Sequence, residues 1–221
     1  MKLKPINEKF IFWDWNGTLL NDTEICIDVM NDMLSKRNLT AIDAEHYKSV
    51  FGFPVIEYYK KLGFDFRVES FEQLSVEFID AYTNTIQRAG LADQTEQVIR
   101  NFYSAGHENV IVSAMKQNML EESVHSLQLG KYFTTILGIQ DIYAAGKAEM
   151  AIAFVRSKSI DPADIVFIGD TTHDYEVACE IGCRCILIAD GHQSEERLRA
   201  TGAEVIPTLA GLLPSIVPKS F

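Results

Sequence analysis

The chain has 221 residues, 47% hydrophobic and 23% charged, with a formal net charge of −11 at pH 7. These values describe a folded protein with a sizeable core, either one large domain or an ordinary domain carrying an inserted one. The acidic balance argues against nucleic acid, no run is long enough to span a membrane, and the apolar stretch near the start is too short for a signal peptide, so a cytoplasmic setting is expected.

In chain order, "KFIFWD" reads as a buried strand that ends on Asp14. The next seventy residues, from Asn21 to about Gly90, hold no convincing strand and read as helices only. Asn21 and Glu24 make a capping-box pattern, and Cys26, Val29, Met30, Met33 and Arg37 recur at helical spacing. Ser70 and Gln73 repeat the capping device before Phe71, Leu74, Phe78, Tyr82 and Ile86. Between these helices, Pro54 stands near the start of a short one that Gly63 stops.

Beyond Gly90 the pattern changes. "NVIVSA", "TTILGI", "DIVFIGD" and "RCILIAD" are apolar, β-branched runs separated by helical patterns over residues 116–129, 147–157, 174–181 and 194–201. That alternation predicts an α/β fold with a doubly wound parallel sheet, its core formed by residues 1–20 and 91–221 and interrupted by a helical insert at 21–90. Such an insert suits a lid that excludes water and selects substrates. Cys26, Cys179, Cys183 and Cys185 show no zinc-site spacing and are expected to be reduced thiols.

In an open parallel sheet, ligands bind beyond the carboxyl ends of the strands. One expected strand ends at Asp14, the second at Ser113, and the fourth at Asp170 with Asp174 four residues later. A single aspartate after a strand is ordinarily a turn or cap residue. Three strands delivering carboxylates and a hydroxyl to one edge make that explanation strained.

The succession of "DWNGT", "VIVSA", Lys147 in "AAGKAEM" and "IGDTTHD" resembles the four motifs of the haloacid dehalogenase-like (HAD) superfamily, in the capped subgroup that includes phosphoglycolate phosphatases. The resemblance implies a Rossmann-like core with a helical cap after the first strand. It also implies a phosphatase-type hydrolase acting on a small phosphorylated metabolite. Asp14 would attack phosphorus, forming an aspartyl phosphate. Mg²⁺ would be held by Asp14, the backbone carbonyl of Asn16 and Asp170, with Asp174 as a direct or water-mediated partner. Ser113, Lys147, Gly17 and Thr18 would contact the phosphate.

One position departs from the family pattern. Asn16 stands where the family's phosphatases carry a second aspartate that protonates the leaving group and then activates water. General acid–base catalysis contributes about 10²–10⁴-fold, so its loss raises the barrier by roughly 3–5 kcal/mol. His173 is the nearest substitute in sequence, with an unperturbed pKa suited to the task.

Three readings stay open: a slow or specialised phosphatase, an impaired protein that binds a phosphorylated ligand, and a C–P hydrolase like phosphonoacetaldehyde hydrolase. The last needs a cap lysine for a Schiff base, but Val55 stands at the expected place, with Lys48, Lys60 and Lys61 displaced from it. His46, Tyr47, Phe51, Phe53, Tyr58 and Tyr59 are candidates to face the substrate, and no feature of the sequence fixes an oligomeric state.

Overall fold

The computed structural model describes residues 3–140 and 146–219. Ala144 and Ala145 of the lysine motif, and the outermost residues of the expected core, lie outside that range. Six strands form one parallel sheet: β1 (Phe10–Trp13), β4 (Glu108–Lys116), β5 (Phe133–Ile139), β6 (Ile165–Gly169), β7 (Arg184–Ile188) and β8 (Glu204–Ile206). Their order is β5-β4-β1-β6-β7-β8. The five expected strands all form, and β8 is added at one edge.

This order makes β1 the switch point. Chain progression runs outward on one side through β4 and β5, and on the other through β6, β7 and β8. A crevice opens beyond the carboxyl end of such a strand, and Asp14 follows β1 there. Alternate side chains of β1 serve opposite faces. Ile11 and Trp13 enter one apolar cluster, while Phe12 joins Val110, Phe167 and Leu187 in the other. Trp13 Nε1 donates to the buried Asn109 Oδ1 at 2.9 Å, fixing β1 against β4.

Helices between the strands complete both layers. These are α5 (Thr95–Ser104), α6 (Gln117–Ser126), α7 (Lys147–Ser157), α8 (Thr172–Ile181) and α9 (Glu195–Ala200). The first was not marked by the sequence pattern; the other four lie within two or three residues of the expected spans. Gly182 ends α8 in the left-handed conformation, as a C-terminal glycine stop should.

Residues 21–90 are not wholly helical. Leu20–Asn21 (β2) pairs antiparallel with Gly90–Leu91 (β3), a two-residue ribbon at which the chain leaves the sheet and returns. Between them lie α1 (Thr23–Ser35), α2 (Ala44–Val50), α3 (Val55–Lys61) and α4 (Phe71–Thr85). Ser70 and Gln73 form the expected capping box, and Pro54 precedes α3. The capping box expected at Asn21 and Glu24 does not form. Asn21 is taken by the ribbon, and Asp22 occupies the cap position with its side chain directed elsewhere. Arg37 lies beyond the end of α1 and pairs with Glu69 and Glu77. All four cysteines are unpaired thiols, and no described helix is long and apolar enough to cross a membrane.

Candidate active site

Four chain segments converge at the carboxyl edge of the sheet. Asp14 extends β1 by donating its backbone N–H to Ile168 O, which holds its carboxylate beside β6. Lys147 opens α7 and is almost wholly buried, with its ammonium forking to Asp14 Oδ1 and, at 2.5 Å, to Asp174 Oδ1. Asp174 lies in the first turn of α8, where its Oδ2 accepts from Asp170 N, Thr171 N and Thr171 Oγ1 at 2.7–3.1 Å. Asp170, immediately after β6, accepts from Thr18 Oγ1 at 2.8 Å and from His192 N at 2.6 Å.

β4 does not end at Ser113 as expected but continues to Lys116, paired there with Ile139 of β5, and the Ser113 Oγ accepts from Met115 N and lies 3.5 Å from Asn16 Oδ1. Gly17 takes a positive φ of 74°, and a Cβ there would overlap the His192 ring and the Asp170 carboxylate. Only glycine fits that turn without displacing both. The structure thus gathers Asp14, Asn16, Gly17, Thr18, Ser113, Lys147, Asp170 and Asp174. His173 is placed differently: its Nδ1 pairs with Glu176 at 3.2 Å and its ring lies against Phe53, with centroids 4.7 Å apart.

Burial pushes Asp14 up to about 8, opposed by Lys147 and reinforced by Asp174 and Asp170. It also pushes Asp170 up to about 6. Burial would raise Asp174 as well, but Lys147 and Thr171 hold it below the usual range. Oxygens of these three carboxylates lie within 4.8 Å of one another, opposed directly by one lysine. Such a set suits a hard divalent cation, which relieves the repulsion that one ammonium leaves. Asp14, Asp170 and Asp174 lie close enough together to hold one such ion. Asp174, already accepting four hydrogen bonds, orients Lys147 and the backbone at Asp170.

Beside this cluster lies a second network that the sequence reading missed. Asp22 is buried, and it accepts from Gly17 N at 2.9 Å, Asn16 Nδ2 at 2.8 Å and Tyr82 OH at 2.5 Å. His192 Nε2 lies 3.3 Å from Asp22 Oδ1, and its Nδ1 lies 3.0 Å from Tyr47 OH. Burial alone would lower His192, but Asp22 overrides it and brings the imidazole up to about 9. Asp22 is held below the usual carboxylate range by the same pairing. The legible signal for His192 was its place just beyond β7, where the strand-end rule also applies.

This network settles the orientation of Asn16. Its Nδ2 donates to both Asp22 and Tyr82, so its Oδ1 turns toward Ser113 and the cavity. The side chain therefore offers an acceptor there, with no proton to give.

The cavity has a volume of about 620 Å³ and is bounded by the sheet edge and by α1–α4. Tyr47, Phe51, Phe53, Tyr58 and Tyr59 line it, whereas His46 is exposed outside it. Val55 lines it as well; Lys48, Lys60 and Lys61 do not, so residues 21–90 bring no lysine to the cavity for a Schiff base. The loop after β7 ties the helices to the sheet: Gln193 Nε2 and Arg197 donate to Phe51 O, and Ser194 N donates to Lys48 O.

Comparison with known proteins agrees with this architecture. Residues 11–188 match the model of the haloacid dehalogenase-like hydrolases. Phosphoglycolate phosphatase 1 of Pseudomonas aeruginosa is 26% identical over 133 residues, 60% of this chain and 46% of that protein. A phosphoglycolate phosphatase of Pseudomonas putida is 22% identical over 65% of this chain and 53% of its own length, so the matches span about half of these two relatives. N-acetylmuramic acid 6-phosphate phosphatase of Pseudomonas putida is 23% identical over 89% of this chain and 90% of its length. Among solved structures, a haloacid dehalogenase-like hydrolase from Streptococcus pneumoniae superposes with a TM-score of 0.80 at 19% identity, over 94% of this chain and 97% of that one. A predicted phosphoglycolate phosphatase from Haemophilus somnus gives 0.76 at 16% identity, with the same coverage of each chain. At such identities the superpositions speak for the fold alone. With the family model spanning β1 to β7 and the motif residues meeting at one edge, the chain belongs to the haloacid dehalogenase-like hydrolase family.

Proposed function

We propose that the protein is a Mg²⁺-dependent phosphatase of small phosphate monoesters, working through phosphorylated Asp14 and specialised by Asn16. The observation that carries this reading is the convergence of Asp14, Lys147, Asp170 and Asp174 on one buried point of the switch crevice. The phosphatase relatives support it by similarity.

Asp14 attacks phosphorus in line, and the ester oxygen leaves with the bonding electrons. Lys147 offsets charge on Asp14 and on the phosphoryl group, while Ser113 and the turn at Gly17 and Thr18 orient the phosphoryl oxygens. Bound Mg²⁺ supplies charge neutralisation between the carboxylate and the phosphate. Water then attacks the acyl phosphate and restores Asp14. Asn16 can orient that water through Oδ1 but cannot take its proton, so both half-reactions lack the usual acid–base step. The helices 21–90 serve as the cap over the reaction, and small metabolites are the fitting size class for the cavity.

The test is Mg²⁺-dependent release of inorganic phosphate from acetyl phosphate, with intact-mass measurement of the protein after rapid quenching. Turnover, together with an added phosphate that Asp14→Asn cannot carry, is the expected result. A protein that binds phosphate esters yet shows neither adduct nor turnover is a ligand-binding relative instead.

A further inference from the structure

The cavity faces the organic part of any ester, and its composition bears on what that part is. Residues 21–90 contribute Met30, Phe51, Val55, Tyr58, Phe71 and Phe78 to its walls, with no lysine or arginine. The one charged side chain it receives from α3 or α4 is the carboxylate of Glu72. The described sheet-side lining adds Lys116 and Lys147, and the latter is committed to Asp14 and Asp174. Both histidines of the lining are committed too, His173 to Glu176 and His192 to Asp22. A carboxylate such as that of phosphoglycolate would meet hydrocarbon and a like charge on the helical side, at a desolvation cost. An aromatic ring would meet stacked and edge-on partners: Tyr47 lies parallel to Phe51 at 5.1 Å, and Tyr58 stands edge-on to Phe51 at 5.3 Å.

The orientation of Asn16 points the same way by a separate route. With Asn16 unable to protonate the leaving oxygen, expulsion is fastest for an alcohol that is acidic by itself. A phenol has a pKa of about 10, against about 15.7 for water and similarly weak aliphatic hydroxyls. Two more atoms narrow the class. Tyr58 OH and Ser75 Oγ are buried at this cavity without a hydrogen-bond partner among the described residues, a costly state unless a ligand supplies one.

We propose that the substrate is an aryl phosphate, the monoester of a phenol, with an uncharged ring against the aromatic walls and a hydroxyl-type substituent meeting Tyr58 and Ser75. This rests on the phosphatase reading above. In the first half-reaction the Asp14–phosphorus bond forms and the aryl oxygen–phosphorus bond breaks, releasing an aryloxide that takes its proton from solvent. In the second, water displaces Asp14, and inorganic phosphate leaves as the water proton passes to phosphate and solvent.

The test compares kcat/KM for 4-hydroxyphenyl phosphate, phenyl phosphate, cyclohexyl phosphate, phosphoglycolate and acetyl phosphate under saturating Mg²⁺. Phenyl phosphate should exceed cyclohexyl phosphate, its match in size, by about 10² or more, in line with the acid–base contribution that is missing. Phosphoglycolate should be poorer than phenyl phosphate by a similar factor. The 4-hydroxy ester should have the lower KM of the two aryl esters, an advantage that Tyr58→Phe and Ser75→Ala each reduce. If acetyl phosphate is turned over while phosphoglycolate matches or exceeds phenyl phosphate, the aryl assignment fails and the phosphatase reading stands. If acetyl phosphate is not turned over, both fail. Calorimetric binding of 4-hydroxyphenyl phosphate to Asp14→Asn is the readout independent of turnover, and weaker binding than phosphoglycolate would also overturn the assignment.

Discussion

The carboxyl edge of the sheet and the helical walls facing it border one cavity with opposite chemistry. At the edge almost every polar atom is spoken for: Lys147 bridges Asp14 and Asp174, Thr18 and His192 hold Asp170, and Asp22 gathers Asn16, Gly17, Tyr82 and His192. On the helical side the surface is aromatic and aliphatic, and two hydroxyls have no partner among the described residues. Preorganised charge belongs where a reaction develops charge, since its orientation is then fixed before the reaction begins. An apolar wall gives no such help, but it selects shape and excludes water. Under the proposed function, the contrast assigns chemistry to the sheet and selection to the helices.

The sharpest way to break that contrast is at the nucleophile. Asp14→Asn should lower steady-state phosphate release by at least about 10⁴-fold, as loss of a nucleophile does elsewhere. The remaining charge network should keep the fold, as checked by circular dichroism. Next in size is the second network. His192→Ala leaves Asp22 buried without its cation and should cost about 3–5 kcal/mol in urea denaturation.

Its pH dependence carries a definite sign. His192 is raised from 6.5 to about 9 in the folded state, so its contribution is complete below pH 6.5 and is lost as pH rises through 9. Stability of the metal-free protein should therefore fall by about 3 kcal/mol across that window. Burial of Asp14 adds a loss of the same sign as pH rises through 8. Asp22→Asn should flatten the His192 share, and an unchanged slope would show that the pair does not carry it.

Asn16→Asp tests the missing proton transfer. It should raise turnover of an alkyl ester by about 10²-fold while changing an aryl ester by less than about tenfold. Equal gains on both would place the limitation elsewhere. The smallest effect is expected at the seam between the two regions. Arg197→Ala removes a donor to Phe51 O and should destabilise the protein by about 1 kcal/mol, leaving Asp14 and Lys147 in place. Limited proteolysis should then find the segment around Phe51 more accessible than in the native chain.

Much of this was legible along the chain because it rests on local rules. The five buried strands announced themselves as β-branched runs, and Asp14, Asp170 and Asp174 were marked by their position at strand ends, whereas Ser113, expected at a strand end, lies within β4, and Lys147 was singled out by its place among the family motifs. The two-residue ribbon was not, since two residues carry no periodicity. The Asn21–Glu24 cap failed for a related reason: a matching spacing cannot reveal that the neighbouring Asp22 is claimed by groups up to 170 positions away.

What the sequence determined by itself was the α/β class, the place of the helical stretch and the absence of a carboxylate at position 16, because each follows from residue type and near-neighbour spacing. Only the tertiary structure decided which way the Asn16 amide faces, that His192 is drawn to Asp22 while His173 turns to Glu176, and that the helical walls are bare of lysine and arginine. Those outcomes depend on which distant side chains share a buried space. There an unpaired polar group is costly enough to dictate its partner.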